Sequence, residues 1–196
     1  MRLQRTNPGT GIRTAMVLLM FCAFAVAQKP PTAGTPDAAI VSQFEAKVKQ
    51  YIDFRQSTVG QATKPTDKPG EIVARQSEMA NKIRVARAGA KQGEIFSAEV
   101  AQYFRKQITA SLAGSHGNQI RSSLRHAEPV KMELQINQSY PANQPLQSTP
   151  PTLLLNLPEL PDGLEYRLMK RELVLRDTEV NLVVDYVPNA LPESIQ

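Results

Sequence analysis

Residues 164–187 read LEYRLMKRELVLRDTEVNLVVDYV and are the part of the chain that decides the fold. Apolar and polar residues alternate along this stretch, and its apolar positions are rich in branched and aromatic side chains. A period of two is typical of strands that bury one face of an antiparallel sheet. We therefore predict three consecutive strands, at residues 164–169, 172–176 and 180–187, joined by short turns as a meander.

The sheet is predicted to include strands that precede this stretch. Residues 130–136 alternate between apolar and polar types, which predicts a strand with one face in water. A second, leucine-rich strand is predicted at residues 153–157, after a proline-rich loop at residues 140–151. The β-rich region, residues 128–192, is therefore expected to hold four to five antiparallel strands.

Helices are predicted before the sheet, at residues 37–57, 71–90, 97–114 and 118–127. Apolar residues recur there every three or four positions, as a helix with one buried face requires. The predicted fold class is α+β, with three to four N-terminal amphipathic helices followed by the antiparallel meander. We expect the helical region, residues 37–127, to pack on one face of the β-rich region as a single domain, although a separate helical bundle is also possible.

The N-terminus has the three parts of a secretory signal peptide. Three arginines precede an apolar run at residues 15–26, and Ala25, Ala27 and Gln28 mark a small-residue cleavage site. We expect cleavage after Ala27, which removes residues 1–27 and leaves residues 28–36 as a tether. The apolar run is shorter than the roughly 20 residues that span a bilayer. We therefore expect a periplasmic or extracellular protein with no transmembrane helix after cleavage.

The charge of the chain does not indicate a nucleic-acid partner. The formal net charge is +5, from 23 basic and 18 acidic residues, but removal of the predicted signal peptide leaves 20 basic residues and a net charge of +2. The remaining charge is uneven, since residues 37–127 sum to +6 and residues 128–196 to −5. Two halves of opposite sign are expected either to contact each other or to face different partners.

Residues that carry common catalytic chemistries are scarce. Cys22 is the single cysteine and lies in the predicted signal peptide, while His116 and His126 lack the spacing of metal ligands. The sequence contains no phosphate-binding loop, dinucleotide fingerprint or nucleophile elbow. We therefore expect no metal and no cofactor. A hydrolase needs only two carboxylates at a suitable separation, and the candidates are Glu172, Asp177, Glu179 and Asp185.

Two sets of polar residues are candidates for binding. The first is a basic flank on the second predicted helix, which could hold an anionic surface: Arg75, Lys82, Arg84, Arg87 and Lys91. The second is the solvent-facing side of the predicted sheet: Arg167, Arg176, Asn181 and Asp185. The simpler interpretation of both sets is that they keep the helices and the sheet soluble.

One resemblance accompanies these patterns. Residues 84–96, RVARAGAKQGEIF, together with LPDGLEYRL and LVLRDTEVNLVVDYVP in residues 160–188, resemble uncharacterised exported proteins of soil bacteria. The resemblance implies a bacterial exported protein and no particular activity, cofactor or catalytic residue.

Two functional hypotheses follow from the sequence. The first is a non-enzymatic exported binding or envelope-associated module, whose partner is a protein or an anionic envelope component. The alternative is a small carboxylate-dependent hydrolase that acts outside the cytoplasm. The missing catalytic motifs favour the first hypothesis.

Overall fold

A computed structural model of the chain describes residues 35–60, 67–126, 133–140 and 149–193. The fold is α+β, as predicted, and its described part holds five helices and one antiparallel sheet of three strands, fewer than expected. The helices are α1 (Pro36–Val59), α2 (Pro69–Ala86), α3 (Ala98–Ala113), α4 (Gly117–Arg125) and α5 (Pro151–Leu154); the strands are β1 (Leu164–Met169), β2 (Glu172–Asp177) and β3 (Leu182–Val187).

The helix starts follow from capping residues. Thr35 caps α1 by accepting a hydrogen bond from the amide of Ala38, and Ser97 caps α3 by accepting one from Val100. Helix α2 ends at Ala86, four residues before the predicted end, because Arg87 leaves the helical conformation. None of the described helices is long and apolar enough to cross a membrane.

Both strands predicted upstream of residue 164 require correction. Residues 133–138 form no strand, and a single bridge joins Ser139 to Leu182; the first part of that predicted strand lies outside the described residues. The strand predicted at 153–157 is wrong, because Pro151 begins the short helix α5. Proline suits the first turn of a helix, where its missing amide has no partner to lose. A run of leucines alone does not distinguish a buried strand from a buried helix.

One face of the sheet, here called the inner face, packs against α1 and α3. It carries Leu164, Tyr166, Leu168, Leu173 and Leu175 into the largest hydrophobic cluster of the protein. The aromatic rings of Phe44, Phe96, Phe104 and Tyr166 fill the centre of that cluster, and the centroids of Phe44 and Phe104 lie 5.0 Å apart. The helices and the sheet therefore share one core, within the compact unit Thr32–Gln196.

The opposite face, here called the outer face, is covered by residues 133–140. Tyr140 and Leu134 pack there on Met169, Val174 and Val183. The same segment runs along the edge of β3, since the amide of Asn137 donates to Val183 and the amide of Val183 to Gln138. The segment thus protects an edge that would otherwise expose unpaired backbone groups.

A β-bulge shifts the side chains of β3 by one position. Leu175 faces Asp185 while Arg176 faces Val183, so Val184 has no opposite residue on β2. The extra residue reverses the alternation beyond it. As a result Asp185 points towards the core, where its exposed fraction is 0%.

Candidate functional site

Three of the four residues predicted on the solvent-facing side of the sheet come together on the outer face. The alternation of β1 places Glu165 and Arg167 on this face, and the strand register places Arg176 directly opposite Glu165. Asn181 ends the turn between β2 and β3 with a positive φ of 53°, a conformation that asparagine tolerates. These four residues form what we call the arginine-pair cluster.

Glu165 binds both arginines of the arginine-pair cluster. Its Oε2 accepts a hydrogen bond from Nη2 of Arg167 at 2.6 Å, and its Oε1 accepts one from Nη1 of Arg176 at 2.7 Å. Arg176 also donates through Nε and Nη2 to Oδ1 of Asn181 at 3.1 and 2.7 Å. The side-chain Nδ2 of Asn181 in turn donates to the carbonyl of Tyr140, which joins the cluster to the covering segment.

These contacts fix the ionisation of the cluster. Burial alone raises the pKa of Glu165, but hydrogen bonds and charges from Arg167 and Arg176 outweigh it and hold that pKa below its ordinary value. The hydrogen bond to Glu165 raises the pKa of Arg167. Glu165 is therefore a carboxylate at neutral pH, and two guanidinium groups with one carboxylate leave the cluster with one positive charge.

Arg167 has donor capacity that the protein does not use. Its Nε is buried and has no hydrogen-bond partner, the one such side-chain atom in the described residues. The side chain as a whole is 27% exposed, so it is partly accessible to solvent. A buried donor without a partner is costly and rare in native proteins. The net positive charge and the partial exposure of the Arg167 side chain together suit the binding of an anionic group.

Asp185 does not belong to this cluster, which corrects the prediction that it lies on the solvent-facing side. Its Oδ1 accepts hydrogen bonds from the amides of Gly93 and Tyr186, and its Oδ2 from those of Ile95 and Phe96, at 2.7 to 2.9 Å. With four backbone donors on one buried carboxylate, Asp185 holds residues 93–96 against the sheet.

The basic residues of α2 do not form a continuous exposed flank. Arg84 donates to the carbonyl of Asn137 at 3.1 Å and contacts Ser139. Arg87 lies with its Cζ 5.1 Å from the centroid of the Tyr51 ring, and its side chain is 10% exposed. Both arginines therefore attach the helix to the rest of the protein.

The other three residues of that predicted set are spread along the same part of the chain. Lys82 pairs with Glu78 on its own helix at 2.9 Å, Arg75 is half-buried, and Lys91 is exposed beyond the end of α2. The spacing along the sequence was correct for a helix, but the helix uses its arginines for internal contacts.

Two of the carboxylates considered for hydrolysis are used in folding. Asp177 is fully buried, accepts a hydrogen bond from the hydroxyl of Tyr51 at 2.8 Å and pairs with Arg55 at 3.1 Å. The carboxylate of Asp185 accepts hydrogen bonds from four backbone amides.

A separate cleft of about 210 Å³ on the outer side of the sheet is lined by Glu133 and Glu172 together with Lys170. Among the described residues no group of three or more potential metal ligands occurs.

Sequence reasoning missed two parts of this region. Glu165 shares a strand face with Arg167, and this same alternation could have identified it. An apolar cleft of about 480 Å³ beside β1 was also missed. Its walls come from residues 151–160 and from β1, and only the tertiary fold brings these two segments together.

Comparisons with protein-family models, with the sequences of curated proteins and with solved structures found no match to the chain.

Proposed function

We propose that this protein is an exported bacterial binding module that acts without catalysis and holds an acidic group of its partner at the arginine-pair cluster. The observation that carries the proposal is the partly exposed side chain of Arg167 beside a second guanidinium group, with one net positive charge left after pairing with Glu165. An approaching carboxylate or phosphate contacts the exposed part of the Arg167 side chain and balances the positive charge of the cluster.

The arrangement of carboxylates favours binding over hydrolysis. Hydrolysis by carboxylates needs one group to donate a proton and another to act as base or nucleophile. Asp177 and Asp185 are instead occupied by several hydrogen-bond donors each, and Glu165 is held by two arginines. Asp177 and Asp185 therefore stabilise the fold, and Glu165 pairs with the two arginines of the cluster.

Export is supported by the N-terminal sequence. The basic residues, the apolar run at residues 15–26 and the pair Ala25 and Ala27 fit a cleaved signal peptide. The partner then belongs to the periplasm or the cell exterior, and a protein or an anionic envelope component fits the chemistry of the cluster.

The experiment titrates the purified protein with inorganic phosphate and with acetate at low ionic strength, and follows binding by NMR chemical-shift changes. We expect shifts in the side-chain signals of Arg167 and Arg176. Arg167→Gln should weaken binding about tenfold or more, as expected for a lost charge-assisted hydrogen bond. Glu165→Gln should strengthen binding, because it removes the carboxylate that competes with the added anion.

Lys91→Gln is the matched control, since it removes one positive charge from an exposed site outside the cluster. It should leave anion binding nearly unchanged. Equal weakening by Lys91→Gln and Arg167→Gln would mean that anion binding depends on the net charge of the protein and not on the arginine-pair cluster, which would contradict the proposal. Turnover of an ester, glycoside or phosphate substrate that is abolished by Glu172→Gln would also overturn it.

A further inference from the structure

We infer that the cavity between α1 and residues 159–161 binds a small organic ammonium ion. The apolar part of the ligand lies inside the cavity, and its ammonium group contacts the carboxylates of Glu45 and Glu159. The inference does not rest on the proposed function, because the cavity shares no residue with the arginine-pair cluster.

The first step concerns the size and the wall of the cavity. Its volume is about 180 Å³, and its wall is almost entirely apolar. Phe44 and Val48 of α1 form the buried part of the wall, and Ile52 and Pro161 complete it. An apolar cavity of about 150 Å³ is large enough to bind benzene. The space therefore accepts one aromatic ring or an aliphatic group of similar size.

The second step concerns the charged residues around the cavity. Glu45, Lys49 and Glu159 also line it, and all three are exposed. Because the wall itself is apolar, their methylene groups contribute to the wall and their charged ends lie towards solvent. Lys49 pairs with Asp53 at 2.6 Å and so has its own counter-charge. No described residue makes a hydrogen bond or an ion pair with Glu45 or Glu159.

The third step gives the charge of the ligand. Glu45 belongs to α1 and Glu159 precedes β1, so the tertiary fold brings two carboxylates to one cavity. Like charges that share a site repel each other, and an ammonium group at the rim replaces this repulsion by attraction to both. Burial and then the charge of Glu45 raise the pKa of the Tyr166 hydroxyl, so the negative charge of Glu45 also acts on the nearby sheet. Charge complementarity therefore favours a cation at this cavity.

The apolar wall favours an organic cation over a metal ion. Calcium and magnesium ions take about six or more oxygen ligands, and the described residues hold no group of three or more potential metal ligands. An organic ammonium ion uses both features of the site, because its hydrocarbon part leaves water and its N–H groups donate to carboxylates. Ligand sites in proteins commonly combine an apolar wall with a few polar groups that orient the ligand.

The test compares three probes that share one aromatic ring and differ in the charge of the attached group: benzylammonium, benzyl alcohol and benzoate. Each is titrated into the purified protein at pH 7 and low ionic strength, and the methyl signals of Val48 and Ile52 are followed by NMR. We expect benzylammonium to shift both signals and to bind at least fivefold more tightly than benzyl alcohol and at least tenfold more tightly than benzoate. Equal binding of benzylammonium and benzoate, or no binding of benzylammonium below about 10 mM, overturns the inference.

A variant of Glu159 locates the ammonium group. Glu159→Gln should weaken the binding of benzylammonium about fivefold, because it removes one ion pair, and should leave the binding of benzyl alcohol unchanged. Asp67→Asn is the matched control, since Asp67 is exposed and lies outside the cavity lining. This control should change the binding of neither probe. Equal weakening of benzylammonium binding by the two variants would assign the effect to net charge and contradict the inference.

A peptide probe separates a small ligand from a lysine side chain of a partner protein. Acetyl-Gly-Lys-Gly-amide carries the same ammonium group on a chain of four carbon atoms. We expect it to bind more weakly than benzylammonium, because its chain buries less apolar surface in the cavity than an aromatic ring does. Binding of the peptide at least tenfold more tightly than benzylammonium would assign the cavity to a protein partner and overturn the inference.

Discussion

The buried carboxylate of Asp185 accepts a 2.8 Å hydrogen bond from the backbone amide of Phe96. This contact joins β3 to the segment between α2 and α3. Phe96 and Asp185 are 89 positions apart along the chain. Phe96 belongs to the aromatic centre of the core, where its ring stacks on Phe44 at a centroid distance of 5.5 Å. A polar side chain of the sheet therefore positions a central apolar residue.

Replacement of Asp185 by asparagine is predicted to destabilise the protein strongly. Each carboxylate oxygen accepts two backbone donors, so an amide group in either orientation places its NH₂ against two N–H groups. Unsatisfied buried donors and a lost charge-assisted interaction give an expected loss of about 3 kcal/mol or more in the free energy of unfolding. Urea denaturation measures the loss. Asp162→Asn, at an exposed turn position, is the control and should change stability by about 0.5 kcal/mol or less.

The position of Asp185 also shows what the sequence of β3 could and could not predict. The alternation along residues 164–187 predicted all three strands, because burial of one face imposes a period of two, but it placed the start of β3 at residue 180 and not at Leu182. The bulge at Val184 breaks that period, and it arises from pairing between strands. Apolar residues stand on both sides of the bulge, so the pattern continues without an interruption that would reveal it.

Contacts between distant parts of the chain decided the rest of the candidate site. Spacing on a helix placed Arg84 and Arg87 on one flank, yet both contact Asn137, about 50 positions away along the chain. The arginine-pair cluster was partly predictable, since Arg167 and Arg176 were assigned to the solvent-facing side. Their common partner Glu165 and the buried, unsatisfied Nε of Arg167 depend on strand register and tertiary packing.

Gly117 is predicted to be intolerant of any side chain. It begins α4 directly after the turn from α3, and a Cβ atom at this position would lie 1.9 Å from the carbonyl oxygen of Leu112. That oxygen also accepts a hydrogen bond from Arg121, so moving it disturbs a second contact. Gly117→Ala should therefore lower the free energy of unfolding by about 1–3 kcal/mol, a cost typical of overpacking.

Gly114 provides the matched control for this substitution. A Cβ atom at Gly114 would lie 3.5 Å from its nearest neighbours, the carbonyl oxygens of Ala110 and Ser111, which is an ordinary contact. Gly114→Ala should leave stability unchanged or raise it by up to about 1 kcal/mol, because alanine restricts the unfolded chain. Equal thermal unfolding temperatures for the two variants would contradict the steric explanation.

The ion pairs of Glu165 with Arg167 and Arg176 make stability depend on pH in the acidic range. The folded protein holds the pKa of Glu165 below its ordinary value, while the unfolded chain restores it to about 4.3. A carboxylate with a lowered pKa contributes stability above the unfolded pKa, and this contribution is lost as pH falls through the folded pKa. The wild-type protein should therefore lose this contribution below about pH 4.

Glu165→Gln isolates this contribution. At pH 7 the variant should be less stable than the wild-type protein, because two partly buried arginines lose their shared carboxylate. The difference should shrink as pH falls below about 4.3, the ordinary pKa of a glutamate, and vanish once the wild-type carboxylate is neutral in the folded protein as well. Urea denaturation of both proteins at several pH values in this range measures the difference directly. A difference that stays constant with pH would show that Glu165 contributes through packing and not through its charge.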